Sequence, residues 1–149
     1  KSIMSYEKLA ESVKLSEGFR NKIYQDTEGF DTIGWGHKVV HTDPFLPDKE
    51  YTEEELQEVF DKDLGKAINQ AKQLMVENGV HTLPDTAEHV LSEMCFQLGK
   101  YGVAKFKNMW KCLEEGNFVG ASYEMLDSRW NKQTPNRCKK LADLMKSCG

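Results

Sequence analysis

Thr52 stands three residues before Glu55, the spacing at which a threonine hydroxyl and a glutamate carboxylate each satisfy an amide at a helix start. Tyr51 and Leu56 hold the flanking positions of a hydrophobic staple. Apolar residues then recur every three or four positions at Leu56, Val59, Phe60, Leu64, Ala67, Ile68, Ala71, Leu74 and Met75, until Asn78-Gly79 stops the pattern. A helix over about 52–76 is predicted. At about 1.5 Å rise per residue it is long enough to link two lobes, so the rest of the chain must divide around it.

The residues before it change character partway. Leu9 and Val13 are four apart, and the next place on that stripe is Glu17, followed at once by Gly18. This predicts a first helix over 5–17 with a carboxylate ending its apolar face, Gly18 in the left-handed position beyond it, and Phe19 turned back onto the stripe. From Lys22 to Val40 the residues become strand-prone (Ile23, Tyr24, Thr32, Ile33, Trp35, Val39, Val40), punctuated by Gly29, Gly34 and Gly36. A hairpin turning near Asp26-Thr27-Glu28-Gly29 is expected. Beyond Gly79 come short helices, roughly Thr86 to Leu98, Lys105 to Glu115, Phe118 to Ser128 and Pro135 to Lys146. Gly99, Gly102 and Gly116 separate the earlier ones, and Thr134 reads as an N-cap ahead of Pro135. The sum is one α+β, mainly α, domain over 1–149. It has a small hairpin lobe at about 18–52, the connecting helix, and a larger helical lobe at about 77–149 that the first helix joins.

Hydrophobic residues are 39% and charged residues 30% of the chain, distributed so that a folded core is expected and disorder is not. No apolar run is long enough to span a bilayer, and no basic start followed by an apolar stretch marks an export signal near Lys1. A net charge of −4 argues against nucleic acid as a partner. The charge is uneven, however: acids crowd from Asp48 to Asp63, and bases (Arg129, Lys132, Arg137, Lys139, Lys140, Lys146) crowd the end of the chain. An anionic polymer would prefer that basic surface. Cys95, Cys112, Cys138 and Cys148 make no CxxC pair and lack histidines at zinc-ligand spacing, so no metal site is expected. Cys95 reads as a small buried residue. Cys138 and Cys148 flank a basic helix and could pair in an oxidising compartment, though reduced thiols are the expected state.

Two carboxylates invite one chemistry. Cleaving a glycosidic bond needs a protonated acid beside the leaving oxygen and an ionised carboxylate on the other face of the sugar. Glu17, ending an apolar stripe, is partly desolvated, which favours its neutral form; Asp26, at a turn, is more open to water. Spacing alone fits equally a structural glutamate beside Arg20 and an ordinary turn aspartate.

Resemblance separates these readings. Glu17-Gly18-Phe19-Arg20, Ile23-Tyr24-Gln25-Asp26-Thr27-Glu28-Gly29-Phe30 and Thr32-Ile33-Gly34-Trp35-Gly36-His37 together resemble the catalytic signature of phage-type lysozymes, the T-even type of glycoside hydrolase family 24. Met94-Cys95-Phe96-Gln97-Leu98-Gly99, Gly102-Val103-Ala104-Lys105-Phe106, Ser128-Arg129-Trp130 and Gln133-Thr134-Pro135-Asn136-Arg137 are similar to that family's helical lobe. The resemblance implies a lysozyme-like two-lobed fold and a muramidase that cuts the β-1,4 link between N-acetylmuramic acid and N-acetylglucosamine. It implies Glu17 as acid, with Asp26 and Thr32 holding the attacking water in an inverting reaction, and His37 paired with Asp63. Substrate subsites fall on Gly36, Lys38, Phe96, Gln97, Met109, Glu124, Arg129, Gln133 and Arg137; amides, guanidinium groups and aromatic faces are what sugar rings require. Trp130 reads as core. Lys38, Met109 and Glu124 depart from the family pattern, and the stretch from His37 to Thr52 is shorter than its usual connection.

The expected partner is bacterial peptidoglycan, with no nucleic acid, no membrane insertion and no metal or organic cofactor, for a monomer. Its expected location is the host bacterial cytoplasm before release to the wall, as a phage endolysin, or alternatively a secreted or virion-borne form. The rival readings are a lytic transglycosylase, which would keep Glu17 but close the product on itself, and a wall-binding or tail-associated module without turnover. Asp26 and Thr32 weigh against both.

Overall fold

The computed structural model describes residues 5–149, so the first four residues of the expected domain, Lys1 and its neighbours included, lie outside the described residues. Helix α1 (Tyr6–Glu17) is followed by strands β1 (Arg20–Gln25), β2 (Asp31–Gly34) and β3 (His37–Lys38). Six helices follow: α2 (Glu53–Glu77), α3 (Asp85–Ala104), α4 (Lys107–Glu114), α5 (Phe118–Leu126), α6 (Arg129–Gln133) and α7 (Pro135–Lys146). The architecture is the expected mainly helical α+β fold. Among the described residues no helix is long and apolar enough to cross a membrane.

Helix α2 forms for the reasons legible in its sequence. The Thr52 Oγ1 accepts the Glu55 amide and the Glu55 carboxylate accepts the Thr52 amide, both at 3.1 Å, a reciprocal capping box. At its other end Gly79 takes φ 71°, the Val80 amide donates to the Met75 carbonyl and the Gly79 amide to the Val76 carbonyl. Those two bonds make a Schellman motif, which only a residue comfortable at positive φ permits. Leu56, Phe60, Leu64, Ala67, Ala71, Leu74 and Met75 are buried, while Val59 and Ile68, at the margins of the stripe, are half-buried.

The chain forms two compact units whose boundary falls inside α2, at Gly65 and Lys66. The unit of residues 7–65 takes in α1, which the sequence pattern assigned to the larger lobe. Leu9 and Val13 are fully buried but lie outside the large core cluster of the helical unit. Burial of each such side chain is worth about 1.5–3 kcal/mol, enough to fix α1 in place. The first helix ends as expected: Gly18 sits at φ 72° and its amide donates to the Lys14 carbonyl at 2.9 Å. Phe19 then lies 4.6 Å from Trp35, whose ring meets Phe60 edge-on at 5.5 Å.

The predicted hairpin becomes a three-stranded antiparallel sheet in the order β1-β2-β3. Its first turn is where Asp26 to Gly29 placed it, with the Asp26 amide on the Phe30 carbonyl. The short β3 escapes sequence reading because two residues carry no alternation to detect. Pairing sets Tyr24 opposite Thr32 and Thr32 opposite Lys38, so these three side chains share one face of the sheet.

In the helical unit, Val90, Leu91, Met94, Met109, Trp110, Met125, Trp130 and Leu141 are among the residues of one core. Gly99, at φ 78° and ψ 164°, interrupts α3 where the sequence pattern ends a helix. Two expectations are corrected here. Thr134 precedes α7 but makes no side-chain cap; its hydroxyl instead receives the Gln97 amide at 3.2 Å. The segment after Ser128, to which the sequence pattern assigned no helix, holds the five-residue α6, whose first turn is capped by the Ser128 hydroxyl oxygen accepting the Asn131 amide. So short a helix shows no periodicity.

All four cysteines are unpaired by disulfide. Burial pushes the Cys95 thiol up to about 12 and the Cys138 thiol to about 11, so neither is a ready nucleophile. The alternative of a Cys138–Cys148 pairing fails on geometry. Ten positions along or just past α7 separate the α-carbons by about 15 Å at helical rise, against the roughly 4.4–6.8 Å a disulfide needs.

Candidate active site

The unit of residues 7–65 gathers Glu17, Asp26, Thr32, Gly36, His37, Lys38 and Asp63. Glu17 is the last residue of α1 and half-buried. Its side chain lies directly on the backbone of Gly36: a β-carbon at that position would stand 2.9 Å from the Glu17 Cδ and closer still to Oε1. Gly36 also holds φ 72°. Both facts require glycine there, and both serve to seat the carboxyl group against peptide rather than against a side chain.

Asp26 is held by its own turn. Oδ1 accepts the amides of Glu28 and Phe30, each at 2.9 Å, which fixes the carboxylate plane. Thr32 is 3% exposed, and its hydroxyl donates to the Phe30 carbonyl at 2.9 Å. With that proton committed, the oxygen is left as an acceptor. The residue type by itself permits either role.

Tyr24 was missed by the sequence reasoning. Burial pushes its phenol up; the Arg20 guanidinium, 4.5 Å from the ring centre, opposes this, while Glu17 and Asp26 both raise it further. The phenol therefore lies within electrostatic reach of both carboxylates. Its cross-strand pairing with Thr32 is the signal that could have found it, but register is set by tertiary contacts.

His37 Nδ1 meets Asp63 Oδ2 at 2.7 Å, the pair the resemblance implies, and Nε2 meets Asp43 Oδ2 at 2.9 Å, a contact the sequence reasoning missed. Asp43 also accepts the Val40 amide at 2.9 Å. The bond to Asp63 is the main cause that raises the His37 pKa; burial opposes it and Asp43 adds to it. For Asp43, burial raises the value, but the bonds from Val40 and His37 outweigh it and hold its carboxyl below the usual range. A raised histidine stabilises the fold fully below its unfolded value of 6.5 and loses that contribution as pH climbs through the folded value. Urea unfolding from about pH 5.5 to 9 should therefore show wild-type stability falling above 6.5. His37→Gln should flatten that fall, and a parallel decline in both proteins would remove His37 as its source.

The remaining subsite candidates belong to the helical unit. A cavity of about 540 Å³ gathers Met109, Glu124, Arg129 and Gln133, with Lys105 and Trp130 also in its wall. Phe96, Gln97 and Arg137 are not in that wall. Phe96 packs half-buried against the core, whereas Trp130, 3% exposed, is a member of that core as expected. Gln97 is committed within the protein: its Oε1 accepts the Trp130 indole at 2.9 Å and its Nε2 donates to Thr134. Met109 is fully buried. Lys38 is exposed, with Nζ 4.6 Å above the Phe30 ring. Arg137 is corrected as a member of the open basic surface. Its side chain is only 12% exposed and stands 3.8 Å from the buried carboxylate of Glu93, whereas Lys139 and Lys140 are exposed.

Comparison with known proteins finds similarity over most of the chain. The Phage lysozyme family profile matches residues 14–146. The "Probable T4-type lysozyme 2" of Dictyostelium discoideum is 30% identical over 93% of this chain and 94% of its own. The "Pre-baseplate central spike protein Gp5" of Enterobacteria phage T4 is 28% identical over 89% of this chain but only 26% of its own length. The "Peptidoglycan hydrolase gp36" of Pseudomonas phage phiKMV is 26% identical over 83% of this chain and 13% of its own.

Proposed function

We propose, from the premise that this chain belongs to the phage lysozyme family, that it hydrolyses the β-1,4 bond between N-acetylmuramic acid and N-acetylglucosamine in bacterial peptidoglycan. One observation carries the reading. A half-buried glutamate seated on Gly36 and an aspartate pinned in its turn both act on the Tyr24 phenol, on the sheet face that also bears Thr32. Glu17 gives its proton to the leaving oxygen. Asp26 Oδ1 is committed to two amides, so Oδ2 takes a proton from water, while the Thr32 oxygen accepts that water's other hydrogen. Water so held attacks the sugar face opposite Glu17 and inverts the anomeric carbon, with the two carboxyl groups about 6.5–9.5 Å apart.

Proton NMR during the first minutes of digestion, before mutarotation, should show the α-anomer forming first. A β-first product would place a covalent intermediate on Asp26 instead. Mass spectrometry of the same digest should show ordinary reducing ends, and dominant 1,6-anhydro ends would establish the transglycosylase. The action fits a phage endolysin released to the wall. A virion-borne role is the second reading, supported by the match to a segment of the spike protein.

A further inference from the structure

The cavity of the helical unit, about 540 Å³, carries more charge than sugar rings call for. Its floor is apolar. Met109 is fully buried there, and Phe106 meets the Trp130 ring edge-on at 6.1 Å, with the Trp130 indole held by Gln97 at 2.9 Å. Around the floor stand Lys105, Lys107, Glu124, Asp127 and Arg129. Glu124 is half-buried and the other four are exposed. Among the described residues none of the five makes a side-chain hydrogen bond or ion pair, so all five charges are open to an occupant.

The fold sorts these charges. Lys105 and Lys107 flank the start of α4, where the unsatisfied amides of a helix N-terminus add positive potential. Glu124 lies in the last turn of α5 and Asp127 stands at its end, where the helix carbonyls add negative potential. Arg129, the first residue of α6, is a third cation. A neutral sugar would strip water from these groups without returning a charge, which costs free energy. A ligand carrying both carboxylates and an ammonium group would return one at each end.

We infer that this cavity binds the peptide stem of peptidoglycan and selects it by charge: Glu124 and Asp127 take the free side-chain amine of a diamino residue, while Lys105, Lys107 and Arg129 take carboxylates. A stem with two carboxylates and one ammonium has one net negative charge. The three cations and two acids of the wall leave one net positive charge to meet it. The identity of the ligand rests on the peptidoglycan reading, whereas its charge pattern is set by the cavity. Lys105, Lys107 and Asp127 thereby enter the site, although their place in the sequence gave them no binding role.

NMR titration of the whole isotope-labelled chain tests this with three peptides: N-acetyl-Ala-γ-D-Glu-Lys-D-Ala, the same peptide acetylated on the lysine amine, and the same peptide with both carboxylates amidated. The unmodified peptide should shift the amides of Gly102, Asn108 and Gln133, which line the cavity. Acetylation should weaken binding about tenfold, because an ammonium group on half-buried Glu124 makes a charge-assisted contact. Amidation should cost about threefold for each carboxylate, since the exposed cations are screened by water.

Substitutions should then exchange the two sensitivities. Glu124→Gln should bind the unmodified and amine-acetylated peptides within about twofold of each other, yet still lose affinity on amidation. Lys105→Gln combined with Lys107→Gln should do the reverse. General loosening of the helical unit would weaken all three peptides alike, and the wild-type comparison stands even where a variant fails to fold. Equal affinity of the wild type for the three peptides, or no shift of the cavity amides at millimolar peptide, would overturn the inference. Cleavage of walls by a protein so indifferent would leave the hydrolase reading intact. Charge-selective peptide binding by a protein that cuts no wall would sink the hydrolase reading and leave the cavity's ligand standing.

Discussion

Glu17→Gln should abolish turnover while leaving the protein folded. The amide has the size of the acid it replaces and keeps the flat group that rests on Gly36, so the close approach at that glycine survives. Position 17 is the last residue of α1, where the helix is already closed by Gly18, and the stripe formed by Leu9 and Val13 is untouched. What disappears, in the proposed mechanism, is the proton for the leaving oxygen. General acid catalysis contributes typically about 10²–10⁴-fold, so clearing of a peptidoglycan suspension should fall by at least that factor. The thermal unfolding midpoint, followed by circular dichroism, should stay within a few degrees of wild type, since no core contact is lost. Retention of more than a few per cent of activity would move the acid to another residue.

Asp26→Asn should cost nearly as much by a different route. The side-chain oxygen of asparagine can still accept the amides of Glu28 and Phe30, so the turn between β1 and β2 keeps its shape. The amide cannot take a proton from water, nor offer negative charge to a sugar becoming cationic. We expect kcat to fall by about 10²–10⁴-fold with KM little changed, because the lost interaction matters in the transition state and not in the bound ground state. The split also separates chemistry from folding: a collapsed turn would raise KM as well. A near-normal rate would reduce Asp26 to a residue that merely shapes its loop.

These two effects should exceed the others because, in the proposed mechanism, both residues meet the reacting atoms. The His37 network acts on stability. That effect is buffered by a second partner, since His37 has both Asp63 and Asp43.

Features written in local chemistry are legible in the amino-acid sequence. The capping box at Thr52 and Glu55, the glycine stop at Gly79, the left-handed Gly18 and the turn at Asp26 all depend on residues within a few positions of one another. Their hydrogen bonds close over short loops, so the sequence determines them almost alone. The buried stripe of α2 belongs to the same class, because helical periodicity converts spacing directly into a face. Tertiary structure decided what depends on distant partners. It placed α1 with the sheet-bearing unit, made Asp43 the second partner of His37, and gave Gln97 to Trp130 and Thr134. It also turned Arg137 inward to Glu93, although in the sequence that arginine looks like one more cation in a basic run. An arginine beside lysines has the same local propensity whether it meets solvent or a buried carboxylate. The choice is made by the electrostatic cost of leaving Glu93 alone in the core, and that cost exists only once α3 and α7 have packed.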